Sequence, residues 1–239
     1  MTPFKEFLTS AVERLLFRSA VVSESIALAG HFRQVVVQGE DLKDVKWISG
    51  QKVQFHLGNL MTRTYTPVEW DSVTGCARFL LFLHGNGPGS EWASTLGRGD
   101  RCQLIGPRDS LNFAVIEGPL IFFGDETSFA AAHALHLARP GLQKEYFFEV
   151  SSLVESEEVL RCIGLTNAQL FQRLPDDAHL HDIESGLVNR SWRLGLPHWV
   201  LTGKAQSIQV LRRRLQGHRA FFHKPRIRAY WAEGKAALD

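Results

Sequence analysis

The sequence predicts a β domain followed by an α/β domain. Residues 31–115 form a series of short runs rich in β-branched and aromatic residues, punctuated by Gly, Asn and Asp. From Gly118-Pro119 onward the texture changes, and continuous apolar runs alternate with helical patterns, as parallel strands joined by helices require. A chain of 239 residues has length for two such units. The expected boundary puts residues 1–117 in the β domain and 118–239 in the α/β domain.

The N-terminus, MTPFKEFLTSAVERLLFRSA, reads as an amphipathic helix through Phe4, Phe7, Leu8, Val12, Leu15 and Leu16. Glu6, Glu13, Arg14 and Arg18 interrupt the apolar residues, so it is read as neither a signal peptide nor a membrane span. The runs HFRQVVVQGEDL, KWISGQKVQFHLG, TRTYTPVEWD, CARFLLFLHG and DRCQLIGP then predict closely spaced strands of an antiparallel barrel or sandwich. PLIFFG is short and wholly apolar, as a buried parallel strand is. DETSFAAAHALHLA reads as a helix capped by Asp125 or Thr127, and KEYFFEVSS as the next strand, making a β–α–β unit. The polar, acidic segment 152–190 carries two short helical patterns, EEVLRCIGL and NAQLFQRL. HWVLTG predicts a strand, KAQSIQVLRRRL a helix and PRIRAYWAEG a last strand.

The net charge of +2 is too small to argue for nucleic acid. Cys76, Cys102 and Cys162 give neither a disulfide framework nor a zinc pattern; Cys76 and Cys102 read as small core residues. A reducing, cytoplasmic setting without membrane insertion is the expectation. Acids gather between Glu149 and Gly186, while Lys and Arg dominate from Arg190 to Lys235. Such a basic tail is a solvated face that also attracts an anionic ligand.

Two stretches carry chemistry. RTYTP, residues 63–67, sets a guanidinium, a phenol and hydroxyls in a strand; its plain reading is a half-exposed strand of good β-formers. LHGNGPGSEWAS, residues 83–94, places Gly85, Gly87, Gly89 and Ser90 ahead of a helix, so backbone N–H groups can face an anion. It lacks the Lys-Ser/Thr ending of a P-loop. Together the stretches offer what a flavin dinucleotide needs. Arg63 can neutralise phosphate, Tyr65 presents an aromatic face, Thr66 can bond a ring nitrogen or carbonyl, and the glycine turn can hold a diphosphate.

Arg-x-Tyr-Thr, His-Gly-x-Gly-Pro-x-Ser-x-Trp-Ala, RGDRCQLIGPRDS and FFGDETSFAAA, in that order, resemble the siderophore-interacting protein family: flavin-dependent ferric-siderophore reductases of the ferredoxin-reductase superfamily. The resemblance implies a flavin-binding β-barrel followed by a nucleotide-binding-like α/β domain with a mostly parallel sheet. It implies that Arg63 contacts the FAD phosphates and that Tyr65 and Thr66 lie against the isoalloxazine, where catalysis occurs. His84 and Gly85 would lie near the flavin, and Gly89, Ser90 and Ala93 would line the diphosphate site. Asp125 and Thr127 would face the flavin from the second domain, and Trp231 belongs to the terminal segment.

Two departures are visible. Thr202-Gly203-Lys204 replaces an Ala-Gly-Glu common in the family, and Ala229-Tyr230-Trp231 replaces Gly-Tyr-Trp. Lys204 inverts a charge near the expected cleft, which favours an anionic ferric chelate. Lys204 and Arg212 are therefore the expected substrate-binding residues, among the cations Arg213, Arg214, Arg219, Lys224, Arg226 and Arg228.

NAD(P)H as electron donor is implied by the resemblance; NADH, NADPH and a ferredoxin are the candidates, since no G-x-G-x-x-G follows LIFFG. Glu149 can bond a ribose 2′-hydroxyl, its plain reading being an exposed strand-end acid. His133 and His136 form half a metal pattern with nothing to complete it and read as surface residues; no metal is expected. The implied activity is release of iron by reducing a ferric siderophore. A general flavin reductase of the superfamily and a flavin-bearing siderophore binder with little turnover are the alternatives.

Overall fold

The computed structural model describes residues 17–58, 61–85, 87–218, 220 and 223–235. The expected N-terminal helix over residues 1–16, and Arg219, lie outside the described residues.

Seven antiparallel strands build the first half: β1 (Arg18–Ala29), β2 (Phe32–Gln38), β3 (Lys52–Gly58), β4 (Met61–Tyr65), β5 (Pro67–Asp71), β6 (Cys76–Phe82) and β7 (Arg101–Arg108). Their order across the sheet is β4-β3-β7-β1-β2-β6-β5. The edge strands β4 and β5 are separated in sequence by Thr66 alone, so the sheet must curl until its edges approach each other there. Alternate side chains, among them Val35, Val37, Val53, Phe55, Phe79 and Leu104, point inward and form one apolar cluster. Cys102 is buried, whereas Cys76 is half-buried.

The antiparallel structure starts earlier than expected, at Arg18. Residues Arg18–Ala20, read as the end of a helix, pair with Cys102–Leu104 of β7, and this cross-strand pairing outweighs the local helical spacing. A short helix, α1 (Pro88–Thr95), leaves the glycine-rich turn with Gly87 as N-cap and proline in its first turn.

The second half is a parallel sheet of β8 (Leu120–Asp125), β9 (Lys144–Val150), β10 (Ala168–Gln172), β11 (His198–Lys204) and β12 (Arg226–Trp231), in the order β10-β9-β8-β11-β12. Helices α2 (Phe129–Ala138) and α3 (Leu153–Cys162) cover one face; α4 (His179–Leu194) and α5 (Ala205–Gly217) cover the other. Successive β8 residues serve opposite faces: Phe122 packs with α2 and α3, Ile121 and Phe123 with α4 and α5.

Two readings of this half are corrected. NAQLFQRL is not helical: its residues 168–172 are β10, held by parallel pairing to Tyr146–Val150. The acidic segment also contains a sixteen-residue helix, α4, whose buried residues Leu180, Ile183 and Leu187 follow helical spacing.

The strand order reverses between β8 and β11, the position where an open α/β sheet leaves a crevice at its carboxyl ends. The halves are joined through a shared apolar cluster in which the rings of Phe32 and Phe129 stack, with centroids 5.2 Å apart and planes 6° from parallel. Ser49 adds a hydrogen bond from its Oγ to the Ala134 carbonyl at 2.9 Å, and the His31 N–H donates to Glu155 of α3. No helix among the described residues is long and apolar enough to cross a membrane.

Candidate functional site

The curled edge of the first sheet, the glycine-rich turn and the carboxyl ends of the second sheet meet in a groove with two chambers. Phe82, His84, Thr127 and Trp231 line both.

The first chamber, about 230 Å³, is walled by Arg63, Tyr65 and Thr66 at the end of β4, by Gly89 and Ser90 of α1, and by Tyr230 and Lys235. The Tyr65 ring stacks on Trp92 at 6.1 Å and meets Phe55 edge-on at 5.9 Å, which fixes its phenol at the wall. Burial pushes that phenol up to about 12 against the opposing pull of Arg63. Gly89 is required here by contact. A Cβ on it would lie 3.1 Å from both Arg63 Cγ and Tyr65 Oη. Ser90 Oγ and Tyr230 Oη are buried and make no hydrogen bond with the described residues. Thr66 adjoins the Tyr230 phenol without closing a bond of good geometry, and burial raises the phenol to about 12, so it remains a donor at neutral pH. A buried hydroxyl without a partner is costly, and two on residues that line one chamber beside an arginine suit an oxygen-rich ligand.

The second chamber, about 350 Å³, is lined by His31, Gly85, Glu126, Ser151 and Arg173 in addition to the shared residues. Arg173 donates to Glu126 Oε2 at 2.8 Å and to the Glu149 carbonyl at 3.2 Å. Glu126 Oε1 accepts from both the N–H and the hydroxyl of Ser151. Trp231 closes the boundary between the chambers. Its Nε1–H donates to Asp125 Oδ2 at 2.6 Å, and the cationic groups of Arg173 and Lys204 lie 5.7 and 5.9 Å from its ring centre.

Residues 56–111 match the family described as Siderophore-interacting FAD-binding domain. The match contains the Arg63-x-Tyr65-Thr66 motif and the glycine-rich turn, and it shows the resemblance drawn from them. No curated protein matches the sequence. Among solved structures, the chain is similar to a siderophore utilization protein from T. fusca (19% identity, TM-score 0.69, covering 93% of this chain and 95% of that one). It is also similar to the siderophore-interacting protein SipS from Aeromonas hydrophila (20%, 0.71, 92% and 93%). A third likeness is the H286L mutant of ferredoxin-NADP+ reductase from Plasmodium falciparum (12%, 0.65, 88% and 94%). These likenesses establish a ferredoxin-reductase-like fold.

The segment that matches the FAD-binding family supplies Arg63, Tyr65, Thr66, Gly89 and Ser90 to the first chamber, and the chamber's residues fit that cofactor. Arg63 and Lys235 are cations suited to a diphosphate, Ser90 Oγ and Tyr230 Oη are unspent hydroxyls, and Tyr65 and Trp231 are flat surfaces for a ring.

The expected site residues divide. Arg63, Tyr65, Thr66, His84, Gly89, Ser90, Thr127 and Trp231 come together around the first chamber, and Gly85 lines the second. Ala93 does not join them, because it is buried in the barrel's own core. Asp125 is wholly buried behind Trp231, its carboxylate taken by Thr127, Ser128 and Trp231, and it lines neither chamber.

The substrate-binding expectation is corrected. Lys204 is 3% exposed and spends its ammonium on Glu233 at 2.8 Å and Asp177 at 3.4 Å. Arg212 is exposed on the outer side of α5, whose inner side is Ile208, Leu211 and Leu215. Glu149 is not exposed either. It is fully buried, and its Oε2 accepts from His179 Nε2 at 2.8 Å and Ser207 Oγ at 2.9 Å. His133, expected at the surface, is buried on α2, where burial and then Arg78 lower its imidazole to about 4.

Arg173, Tyr230, Lys235 and His31 were not foreseen. Arg173 was concealed by the helical reading of NAQLFQRL; a strand ending at Gln172 would have put it at the sheet's carboxyl edge. Among the described residues no three His, Cys, Asp or Glu side chains gather to hold a metal.

Proposed function

We propose that the protein is an FAD-dependent reductase of ferric siderophores, acting in the cytoplasm to release chelated iron. The observation that carries this reading is the pair of buried hydroxyls, Ser90 Oγ and Tyr230 Oη, on residues that line the first chamber with Arg63; Arg63 and Ser90 belong to the family-matched segment. Bound FAD supplies conversion between two-electron and one-electron transfer. Oxygen donors hold Fe(III) far more tightly than Fe(II), so a one-electron reduction loosens the metal without any protein ligand.

The chain's residues would do the rest. Arg63 and Lys235 hold the diphosphate, and Tyr65 and Thr66 set the ring at the boundary of the chambers. The second chamber, lined by His31, Glu126, Ser151 and Arg173, receives the chelate. Support for the substrate comes from the similarity to siderophore-utilising and siderophore-interacting proteins. Support for a nicotinamide or ferredoxin donor comes from the similarity to ferredoxin-NADP+ reductase.

The test is anaerobic. The protein is loaded with FAD, bleached with dithionite and mixed with ferric catecholate, hydroxamate and carboxylate chelates. Return of the yellow colour with stoichiometric Fe(II) is expected. A bound flavin that stays reduced before every chelate would leave only a binding role.

A further inference from the structure

We infer that the second half of the chain does not hold the diphosphate of a dinucleotide, so that any dihydronicotinamide donor is recognised without its adenylate. This rests on the flavin reading above, because the donor must deliver to that cofactor. In a doubly wound sheet a dinucleotide's diphosphate lies on free N–H groups where strands turn into helices beside the switch point, and glycines there let it approach the backbone.

Here the protein's own carboxylates take backbone donors at two of those places. At the β8–α2 turn the Thr127 N–H donates to Asp125 Oδ1 at 2.9 Å, and the Thr127 and Ser128 hydroxyls converge on the same oxygen. At the β9–α3 turn the Ser151 N–H is taken by Glu126, and the Glu155 N–H by Ser152 Oγ at 3.3 Å. At the β11–α5 turn the helix carries no side-chain cap among the described residues, and the cation beside it, Lys204, is paired with Asp177 and Glu233.

The glycines serve the same internal arrangement. A Cβ on Gly203 would lie 2.6 Å from the Asp125 carboxyl carbon, and one on Gly124 would lie 2.4 Å from Ser128 Cβ. The space that could admit a phosphate holds a side-chain carboxylate instead. Glu149, at the end of β9 where an acid could bond the ribose, is buried under His179 and Ser207. Among the described residues Asp125, Glu126, Glu149, Asp177 and Glu233 gather at these strand ends against Arg173, Lys204 and His179, an excess of acid that disfavours a diphosphate.

The experiment compares NADH, NADPH and reduced nicotinamide mononucleotide as donors to the FAD-loaded protein, by anaerobic stopped-flow at matched ionic strength. The three apparent second-order rate constants are expected to agree within about fivefold, and ADP-ribose at 1 mM is expected to inhibit none of them. Flavin left oxidised by all three donors but bleached by dithionite also bears the inference out, since no adenylate advantage then exists.

An advantage above about tenfold for either dinucleotide, or inhibition by ADP-ribose below 1 mM, overturns it. Glu126→Ala uncovers the Ser151 N–H and releases Arg173. In this variant, if it still retains flavin, the dinucleotides should gain at least about threefold on the mononucleotide; an unchanged ratio contradicts the inference. A protein that takes up no FAD at all refutes the flavin reading instead, and is seen before any donor is added.

Discussion

The Trp231 indole N–H reaches Asp125 Oδ2 at 2.6 Å across an intervening strand. Trp231 ends β12 and Asp125 ends β8, with β11 between them in the sheet. The bond can pass because Gly203 of β11 carries no side chain at the crossing point. One buried carboxylate thereby fixes the partition between the two chambers.

That carboxylate titrates in a measurable range. Burial raises it to about 6, Glu126 and Glu149 reinforce the shift, and Thr127 and Trp231 oppose it. Between the ordinary value of 3.8 and about 6 the folded state binds this proton and the unfolded state releases it, so the Asp125 contribution to stability falls as pH rises through that window. Urea unfolding of wild type and Asp125→Asn at pH 4 and pH 7 should show a pH-dependent difference of roughly 3 kcal/mol. A constant difference between the two proteins would remove the buried-acid account.

Gly203→Ala should destabilise the protein by about 3 kcal/mol or more. The residue has φ +96°, and its new methyl would meet a carboxyl group that several donors hold in place. Denaturant midpoints give the value, and the Trp231 fluorescence spectrum should shift with it. A loss below about 0.5 kcal/mol would show that Asp125 can move aside.

Ser90→Ala and Tyr230→Phe separate binding from folding. Each deletes a buried hydroxyl that makes no hydrogen bond of good geometry among the described residues, so each should leave stability unchanged or raise it by up to about 1 kcal/mol. Each should also weaken FAD binding by about five- to tenfold, the worth of a lost hydrogen bond. Flavin titration of the apo-protein beside thermal unfolding provides both readouts. If affinity is untouched, the orphaned hydroxyls do not face the cofactor.

Lys204→Glu tests the corrected position of that lysine. It would put a carboxylate at this buried position next to the half-buried Asp177 and the exposed Glu233, at a cost of about 3–5 kcal/mol in stability. Where the variant is still folded, the apparent KM for an anionic chelate should change by less than about twofold, because the ammonium faces its two acids. A large KM change at unaltered stability would restore Lys204 to the substrate site.

These outcomes follow how differently the two kinds of information were carried by the sequence. The central strands were legible because a strand buried on both faces, such as β8, is a continuous apolar run, and no other element of that length reads so. β10 was not, because in this edge strand Leu170 and Phe171 are adjacent and Gln169 and Gln172 are three apart, a spacing that also suits a helix. α4 was obscured by its acids, although Leu180, Ile183 and Leu187 gave the period. In the site, Arg63, Tyr65, Gly89 and Ser90 sit in compact motifs and could be read locally. Arg173 acquires its meaning from Glu126, 47 residues away, and Lys204 from Asp177, 27 residues away. Charge placement of that kind depends on tertiary contact and leaves no local pattern.

The stacked rings of Phe32 and Phe129 govern how the molecule can be taken apart. Both rings are buried in the apolar cluster that the two halves share, so each half contributes surface that the other covers. Expressed separately, each piece would offer a bare aromatic patch to solvent and precipitate. Heated intact, the protein should absorb heat in a single calorimetric peak. Visitors to the groove must then enter by its mouth, since no jaw-like opening of one half from the other is available without breaking that seal.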